Sequence, residues 1–220
     1  MRSDSGGVQL EEVARPKNRV QLLRRTELPV DTVELARFLI GKILVRELKR
    51  GRRMQRLTGR IVETEAYPIG DAAGHHFRGE RPRTRSMFGP HGHAYVFFNY
   101  GSAWMMNVTS ELPGVGGGIL IRAIEPLEGI ERMMRNRGVD RLLDVARGPG
   151  RLASAMQIDK RLDGVDLCSK GSPLWLGDDG EPARPMGVTT RIGLSREAHR
   201  KLRFYEKGSR FVSGPKKLLK

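Results

Sequence analysis

Two glutamates and a tyrosine alternate within an apolar segment at residues 61–67. Since alternate residues of a strand share a face, Glu63, Glu65 and Tyr67 are predicted to lie on one side of a strand. A carboxylate in such a setting can deprotonate an attacking water and stabilise an oxocarbenium-like state, as hydrolysis of a sugar–base bond requires. The alternation is also typical of a solvent-facing edge strand whose acids pair with nearby arginines. The residues leave both interpretations open.

A second group of candidate residues is aromatic, because four of the six positions from Tyr95 to Tyr100 carry a ring. Tyr95 and Phe97 are predicted to share one face of a strand, and Phe98 is assigned to the core. Tyr100 precedes Gly101 at a predicted hairpin tip, where an exposed ring needs a reason. Insertion into a base stack, in the gap left by an extruded nucleotide, would supply one. Ordinary packing is the alternative.

Two polar residues lie in apolar surroundings further along the chain. Asn107 ends an apolar run, and Arg122 lies inside the apolar strand predicted at 119–124. A buried arginine needs an anionic partner. That partner is either a structural acid, which makes Arg122 part of the scaffold, or Glu65, which makes it an orienting group for the carboxylate.

A metal site is the other chemistry that the residue types suggest, since four of the five histidines are His75, His76, His91 and His93. Neither pair has the helical i, i+4 spacing of a zinc protease motif, and the one cysteine, Cys168, cannot complete a structural zinc site. Hydrogen bonding within a loop is the preferred role for these histidines, and we expect no metal.

The charge of the chain indicates a polyanionic partner. Its 220 residues carry a net charge of +15, and bases that contact phosphates release condensed counterions. One basic run surrounds Glu80 near the candidate residues and is interpreted as a phosphate-binding surface: Arg78, Arg81, Arg83 and Arg85. Residues 196–220 add nine bases against two acids, as a solvated tail or a second such surface. An anionic membrane surface would attract the same charge, but no apolar run is long enough to span a bilayer.

The elements that must position these residues follow from periodicity and turn signals. A helix is predicted to begin at Asp31, and the chain from 68 to 90 is predicted to be a long ordered loop. Strands are predicted at 42–48, 57–67, 94–99, 104–109, 119–124, 190–193 and 203–205, and further helices end near 138 and span 149–156. This order favours an α+β class: a single mixed domain with a curved, largely antiparallel sheet flanked by helices. We expect a flexible basic tail at 1–28, the domain at 29–213 and a basic tail at 214–220.

Short motifs in a fixed order resemble the alkyladenine (3-methyladenine) DNA glycosylase family over residues 35–213. They are the segment 59–67, His75 with Arg78-Gly79, Pro82-Arg83 with Met87-Phe88, Tyr95-Val96 with Tyr100-Gly101, Asn107, Arg122-Ala123 with Glu125-Pro126, Gly148-Pro149 with Leu152, and the segment 202–205. Each motif is weak, and the ordered set is specific.

The resemblance implies a role for each matching position. Glu65 resembles the general base, and Arg122 resembles the residue that fixes Glu65 and its water. Tyr67, His75 and Phe97 resemble the residues that hold an extruded purine. Asn107 resembles the gate against ordinary guanine, and Tyr100 the intercalating wedge. Phe97 departs from the tyrosine common in the family, so any hydroxyl contact there is lost.

The resemblance also implies partners and products. Such an enzyme binds double-stranded DNA carrying alkylated or deaminated purines and uses neither a metal or other cofactor nor a covalent lysine intermediate. It therefore leaves an abasic site in an intact strand. We further expect a cytoplasmic monomer that does not associate with membranes.

Two competing functions fit part of the sequence. A non-enzymatic basic nucleic-acid-binding protein would explain the charge, but it would not explain Glu63 and Glu65 within a basic surface. A metal-dependent nuclease could use those acids with the histidines. Sensitivity to a chelator and direct strand cleavage would distinguish a nuclease from a glycosylase, whose product strand breaks only after alkali.

Overall fold

A single antiparallel sheet organises the part of the chain that the computed structural model describes, residues 19–99 and 101–215. Within that part, nine strands belong to the sheet: β1 (Gln21–Leu22), β2 (Ile43–Arg50), β3 (Arg53–Tyr67), β4 (Ala94–Asn99), β5 (Ala103–Thr109), β6 (Gly118–Glu128), β7 (Leu174–Asp178), β8 (Met186–Thr189) and β9 (Arg203–Glu206). Three α-helices accompany it: α1 (Thr32–Phe38), α2 (Ile130–Arg137) and α3 (Pro149–Ala155). The predicted α+β class is confirmed.

Strand β3 is the centre of this arrangement. The main strand order is β1-β7-β2-β3-β6-β5-β4, and β9 pairs with both β3 and β8. One side of β3 pairs with β6. In addition, β3 pairs with β2 over residues 53–60 and with β9 over residues 63–65. Glu65 therefore lies opposite Leu120 of β6 and opposite Arg203 of β9. This embedding excludes the edge-strand interpretation of the two glutamates.

A β-bulge interrupts β3 beside Glu63, where the register against β6 shifts on both sides of that residue. A bulge adds a residue on one strand and changes the direction of its side chains. Val62 accordingly packs in a separate cluster with Tyr205 and Phe211, whereas Ala66 belongs to the main core. Val62 and Ala66 therefore pack in different clusters, although simple alternation would place them on one face.

Helix α1 begins where the sequence predicts. The Asp31 carboxylate accepts hydrogen bonds from the backbone N–H groups of Val33 and Glu34 at 2.8 and 2.9 Å, which satisfies two free donors of the first turn. Leu35 and Leu39 are fully buried in the main core. Helix α1 packs on β3 and β6, and α3 packs on β5, β6 and α2. None of the helices in the described residues has the length and apolarity to cross a bilayer.

Several element boundaries differ from the prediction. Strand β6 continues through Pro126 to Glu128, because Pro126 lies opposite Gly59 beside a register shift, where a missing backbone N–H is tolerated. Strand β7 has no counterpart in the prediction. The strand predicted at 190–193 is an irregular segment in the structure. Strand β8 lies just before it in the sequence.

The segment predicted as a flexible tail, residues 1–28, includes packed structure at its end. Strand β1 pairs with β7, and Leu23 and Leu28 are buried in the main core. The packed part of the chain therefore begins before residue 29. Residues 1–18 lie outside the described part of the chain, as do the last five residues of the predicted tail at 214–220.

Candidate active site

A cleft of about 640 Å³ opens at the end of β3 that carries Glu65 and Tyr67. Its wall consists of residues from β3, β4, β5 and β6, from the loop at 72–87, from the start of α3 and from the segment 192–196. Eight of the predicted site residues line this one cleft: Tyr67, His75, Arg78, Arg81, Arg83, Phe97, Asn107 and Arg122. The fold thus gathers residues that are 55 positions apart in the sequence.

Glu65 lies immediately behind the wall of the cleft and is fully buried. Its Oε2 accepts a hydrogen bond from the Tyr67 hydroxyl at 2.9 Å and lies 3.2 Å from Nη1 of Arg122. Its Oε1 accepts a hydrogen bond from the backbone N–H of Ile192 at 2.8 Å. All three partners line the cleft. The carboxylate is therefore held rigidly, with one charged and two neutral donors between it and the open space.

Glu63 is equally buried but occupies a different environment. Its Oε1 accepts from Nε of Arg203 at 2.6 Å and from Nε of Arg122 at 3.2 Å, and its Oε2 accepts from the backbone N–H of Ser213 at 2.7 Å. Arg203 is fully buried and also donates to the Ser213 carbonyl. Glu63 does not line the cleft, so its contacts tie β3, β6, β9 and the C-terminal segment together.

Arg122 connects the two acids, so both of the partners left open by the sequence are present. Burial lowers the pKa of this guanidinium, but the carboxylates of Glu65 and Glu63 outweigh that effect and raise it. The group is therefore a permanent cation. It also borders a second hollow of about 340 Å³, together with Arg147, Arg151 and Ser213.

Tyr67 is positioned by a network that the sequence analysis did not identify. The guanidinium of Arg191 lies 4.6 Å from the centre of the Tyr67 ring and donates to the Ala66 carbonyl. Arg191 pairs with Asp71 at 2.7 Å, and both side chains are fully buried. Burial raises the pKa of Tyr67, and the charge of Glu65 raises it further, so the hydroxyl remains protonated and donates.

His75 and Phe97 form an aromatic wall of the cleft, and the buried Tyr95 packs against both rings. The Tyr95 and Phe97 rings stack at 5.3 Å, as their predicted common face requires, and the His75 ring meets Phe97 edge-on at 4.5 Å. Nδ1 of His75 is 2.9 Å from the Tyr95 hydroxyl. Desolvation lowers the pKa of His75, and the charge of Arg83 lowers it further, although one side of the ring is open to solvent. His75 is therefore neutral near pH 7.

Asn107 forms part of the wall opposite this aromatic group. It pairs with Tyr95 on β4 and with Leu120 on β6, so its backbone is fixed from both sides. The side chain is buried, yet Oδ1 has no hydrogen-bond partner among the described residues. Buried polar atoms are normally satisfied, and an unsatisfied one facing a cleft is available to a ligand.

The hairpin between β4 and β5 corrects one assignment. Phe98 was predicted to belong to the core, but it is 50% exposed and its ring lies 5.0 Å from that of Trp104. The alternation along β4 that turns Phe97 toward the cleft turns Phe98 away from it. Tyr100, the predicted wedge, lies outside the described residues, so its role stays a prediction.

The predicted phosphate-binding run lies partly at the cleft. Arg78, Arg81 and Arg83 are exposed and line it, and none pairs with an acid among the described residues. Arg85 does not line the cleft, and its Nε lies 3.5 Å from the exposed Glu80. These positions form a basic rim at 78–83, with Arg85 beside it.

The C-terminal bases are less available than their number suggests. Arg203 is buried against Glu63, and Arg200 pairs with Asp71 at 3.2 Å. Arg196 alone of the nine bases lines the cleft. Lys216, Lys217 and Lys220 lie outside the described residues.

The histidines are distributed among unrelated hydrogen bonds. His76 is bonded to the Pro68 carbonyl, while His91 and His93 contact Arg25 near the N-terminal end of the described chain. Over residues 19–99 and 101–215, no three side chains of histidine, cysteine, aspartate or glutamate are grouped as metal ligands would be.

Four residues that support the site were not predicted as site residues, for different reasons. Tyr95 could have been assigned to the support of the aromatic wall, because it alternates with Phe97. Ile192 acts through its backbone N–H, which leaves no trace in residue type. Asp71 and Arg191 are 120 positions apart, and neither residue type is unusual for a loop.

Comparison with known proteins agrees with this geometry. A family model described as methylpurine-DNA glycosylase matches residues 26–210. A protein of Mesorhizobium japonicum is 60% identical over 196 residues, covering 89% of this chain and 92% of its own. A protein of Paraburkholderia phytofirmans is 56% identical, covering 90% of each chain, and one of Methanoculleus marisnigri is 43% identical, covering 83% of this chain and 94% of its own. All three carry the provisional name 3-methyladenine DNA glycosylase.

Proposed function

Since the chain belongs to the methylpurine-DNA glycosylase family, it is a DNA N-glycosylase, and we propose that it excises alkylated or deaminated purines, 3-methyladenine among them, from duplex DNA. The excision is a step of base excision repair. The observation that carries this proposal is the buried Glu65 carboxylate, which Arg122, Tyr67 and the Ile192 N–H fix at the wall of a cleft.

Glu65 is proposed as the general base that activates water. Oε1 accepts one hydrogen bond among the described residues, from Ile192, so a lone pair remains for a water molecule. A water held there loses a proton to Glu65 as its oxygen attacks the sugar carbon, and the purine departs with the electrons of the N-glycosidic bond. The negative carboxylate also stabilises the oxocarbenium-like state in these dry surroundings.

The donors around Glu65 fix its position at the wall of the cleft. Arg122 and Tyr67 both contact Oε2 and hold the carboxylate in one orientation. An alkylated purine that already carries a positive charge is a good leaving group and needs little acid assistance. One carboxylate can therefore suffice for such substrates.

The cleft is proposed to receive the purine after it has been extruded from the duplex. A base within a stack cannot reach a recessed carboxylate, so the nucleotide must rotate out. Tyr67, His75 and Phe97 supply rings for contact with the base. Asn107, whose Oδ1 has no partner among the described residues, is proposed to discriminate among purines by the polar group that each places beside it. Tyr100 is proposed to fill the gap in the stack.

The product is proposed to be an abasic site in an intact strand. Glycosylases that also cut the strand use an amine to form a Schiff base with the sugar. No lysine is among the residues that line the cleft in the described part of the chain. Water is therefore the proposed nucleophile, and the enzyme is proposed to act as a monomer without a cofactor.

The decisive experiment measures base release from a duplex carrying one hypoxanthine, with a chelator present. The parent is expected to give strand breaks only after alkali. Glu65→Gln should release no base while retaining affinity for the lesion duplex. Glu131→Gln, whose side chain is 76% exposed on α2, is the matched control and should behave like the parent.

Other outcomes have distinct meanings. Breaks without alkali, suppressed by the chelator, would indicate a nuclease. Retained release by Glu65→Gln would exclude Glu65 as the base. If hypoxanthine is not released, the assay is repeated on methylated DNA, and a second negative result would contradict the proposed function.

A further inference from the structure

The hairpin formed by β2 and β3 extends beyond the rest of the sheet. Strand β7 pairs with β2 only over residues 43–46, and β6 reaches β3 only from Thr58 onward. Beyond these points, apart from a backbone hydrogen bond from Glu47 to the Pro173 carbonyl, the described residues of the two strands pair only with each other, up to the turn after Arg50. At the base of this extension, Arg56 donates to Glu47 at 2.9 Å and lies over the Trp175 ring. The hairpin is therefore anchored at its base and free at its end.

The free end, residues 49–54, is here named the basic ribbon. Its six residues include four bases, Lys49, Arg50, Arg52 and Arg53, and no acid. Lys49, Arg52 and Arg53 are exposed, and none of the three pairs with an acid among the described residues. The backbone register places Arg50 opposite Arg53.

The shape of the basic ribbon matches one groove of duplex DNA. The major groove of B-DNA admits a two-stranded β-ribbon. Met54 lies opposite Lys49 and is 60% exposed, although methionine at a hairpin end gains nothing from solvent. Cations with an apolar side chain between them suit contact with phosphates on both sides of a groove.

The basic ribbon lies at the opposite end of β3 from the candidate active site. Arg53 and Glu65 are twelve residues apart on this strand, and a rise of about 3.3 Å per residue separates them by up to about 40 Å. This separation leaves room for two duplex segments, one on the basic rim at 78–83 and one on the ribbon.

We infer that the basic ribbon binds a second segment of duplex DNA while the cleft holds the first. This inference takes DNA as the partner from the proposed function but does not depend on the chemistry at Glu65. Its consequence is transfer: the protein can engage a new segment through the ribbon before it leaves the old one. Base release itself requires only the cleft.

The test compares two charge-matched variants in the full chain. K49Q/R52Q/R53Q removes three cations from the basic ribbon. The control R161Q/K170Q/K207Q removes three exposed cations that neither line the cleft nor belong to the ribbon. The conservative variant K49R/R52K/R53K keeps the charge. Each is assayed for simultaneous binding of two short duplexes with different fluorophores, and for base release under single-turnover conditions.

We expect the parent, the control and the conservative variant to bring two duplexes together, and K49Q/R52Q/R53Q to bind only one. The logarithmic salt dependence of binding the second duplex has a slope of about 0.9 per phosphate contact. Base release from a short lesion duplex should stay within about two-fold of the parent in every variant, because release requires only the cleft.

Three results would overturn the inference. The parent fails to bind a second duplex, the ribbon variant still binds two, or the control loses the second duplex as the ribbon variant does. Tighter binding of one long duplex without a second would indicate that the ribbon contacts the same DNA, which also contradicts it. Absence of base release with intact bridging would count against the proposed function and not against the ribbon.

Discussion

Glu63 and Glu65 share Arg122, but neutralising one acid or the other has different consequences for the buried arginines. If Glu65 is neutralised, Arg122 keeps its contact with Glu63. If Glu63 is neutralised, the fully buried Arg203 loses its acidic partner among the described residues. Removing one member of a buried ion pair is costly because the remaining charge stays desolvated. The two carboxylates therefore separate a structural role from a chemical one.

Glu63→Gln is predicted to lower the free energy of unfolding by about 3–5 kcal/mol. For a chain of this size about 1 kcal/mol corresponds to about 2–4 °C in Tm, so thermal unfolding should shift down by about 10 °C or more. Base release at a temperature where the variant is folded should remain detectable. A parent-like Tm combined with complete loss of release would instead place Glu63 in the reaction.

His75 is predicted to make lesion preference depend on pH. Its ordinary pKa of about 6.5 is lowered by desolvation and by Arg83, so the ring gains its proton only below that pH. A protonated ring repels a purine that carries a positive charge, but it does not repel a neutral one. The rate for 7-methylguanine divided by that for hypoxanthine should therefore fall on acidification from pH 7.5 to 5.

The ratio of the two rates cancels the effect of groups whose protonation changes both rates alike, and the His75→Gln variant reports on groups that do not. Single-turnover base release from matched duplexes measures it. His75→Gln has no titrating ring, so its ratio should be constant over the same range. A constant ratio in the parent, or a falling one in His75→Gln, would show that another group controls the preference.

At the scale of elements, the segment 190–193 completes the site without belonging to a strand. Its Ile192 N–H bonds Glu65, and its Arg191 contacts Tyr67 and the Ala66 carbonyl. Asp71, from the loop after β3, holds Arg191 in place. The loop after β3 and the segment 190–193, which are distant in sequence, thus hold Tyr67 and the Ile192 N–H in place against the Glu65 carboxylate.

Asp71→Asn is predicted to slow base release by more than its loss of stability would explain. Arg191 and Arg200 both lose their carboxylate, so the segment 190–193 should loosen. Faster hydrogen exchange at the Ile192 amide and base release at least about ten-fold slower are expected, since about 1.4 kcal/mol of lost positioning suffices for that factor. Glu131→Gln, which breaks an exposed pair with Arg135, should change neither quantity. Slow release with unchanged exchange would contradict this positioning role.

The comparison of elements also shows what the sequence can predict. Alternation placed Tyr95 and Phe97 together, and cap residues located the start of α1, because both signals are local. The bulge beside Glu63 and the course of β6 through Pro126 depend on the partner strand, so local patterns could not show them. Nor could local patterns show the packing at Gly116, where a Cβ would lie 2.5 Å from the His76 side chain, so close packing explains the glycine.

At the scale of the whole molecule, the number of bases overstates the DNA-binding surface. Arg122, Arg191 and Arg203 are among the 40 lysines and arginines but are buried against acids. The cations that remain exposed beside the cleft in the described part of the chain are those of the basic rim at 78–83 and Arg196. Ion pairing inside the fold thus separates bases that support the site from bases that can meet phosphates.

The salt dependence of binding tests that separation. R81Q/R83Q removes two exposed cations that line the cleft and pair with no acid among the described residues. If each contacts one phosphate, the slope of log K against log salt should decrease by about 0.9 per contact. Phosphate contacts carry no sequence information, so affinity for undamaged and lesion duplexes should fall by the same factor. The control R161Q/K170Q should keep the parent slope, and an equal slope in R81Q/R83Q would mean that the rim does not touch the backbone. A loss confined to the lesion duplex would instead assign these arginines to the purine.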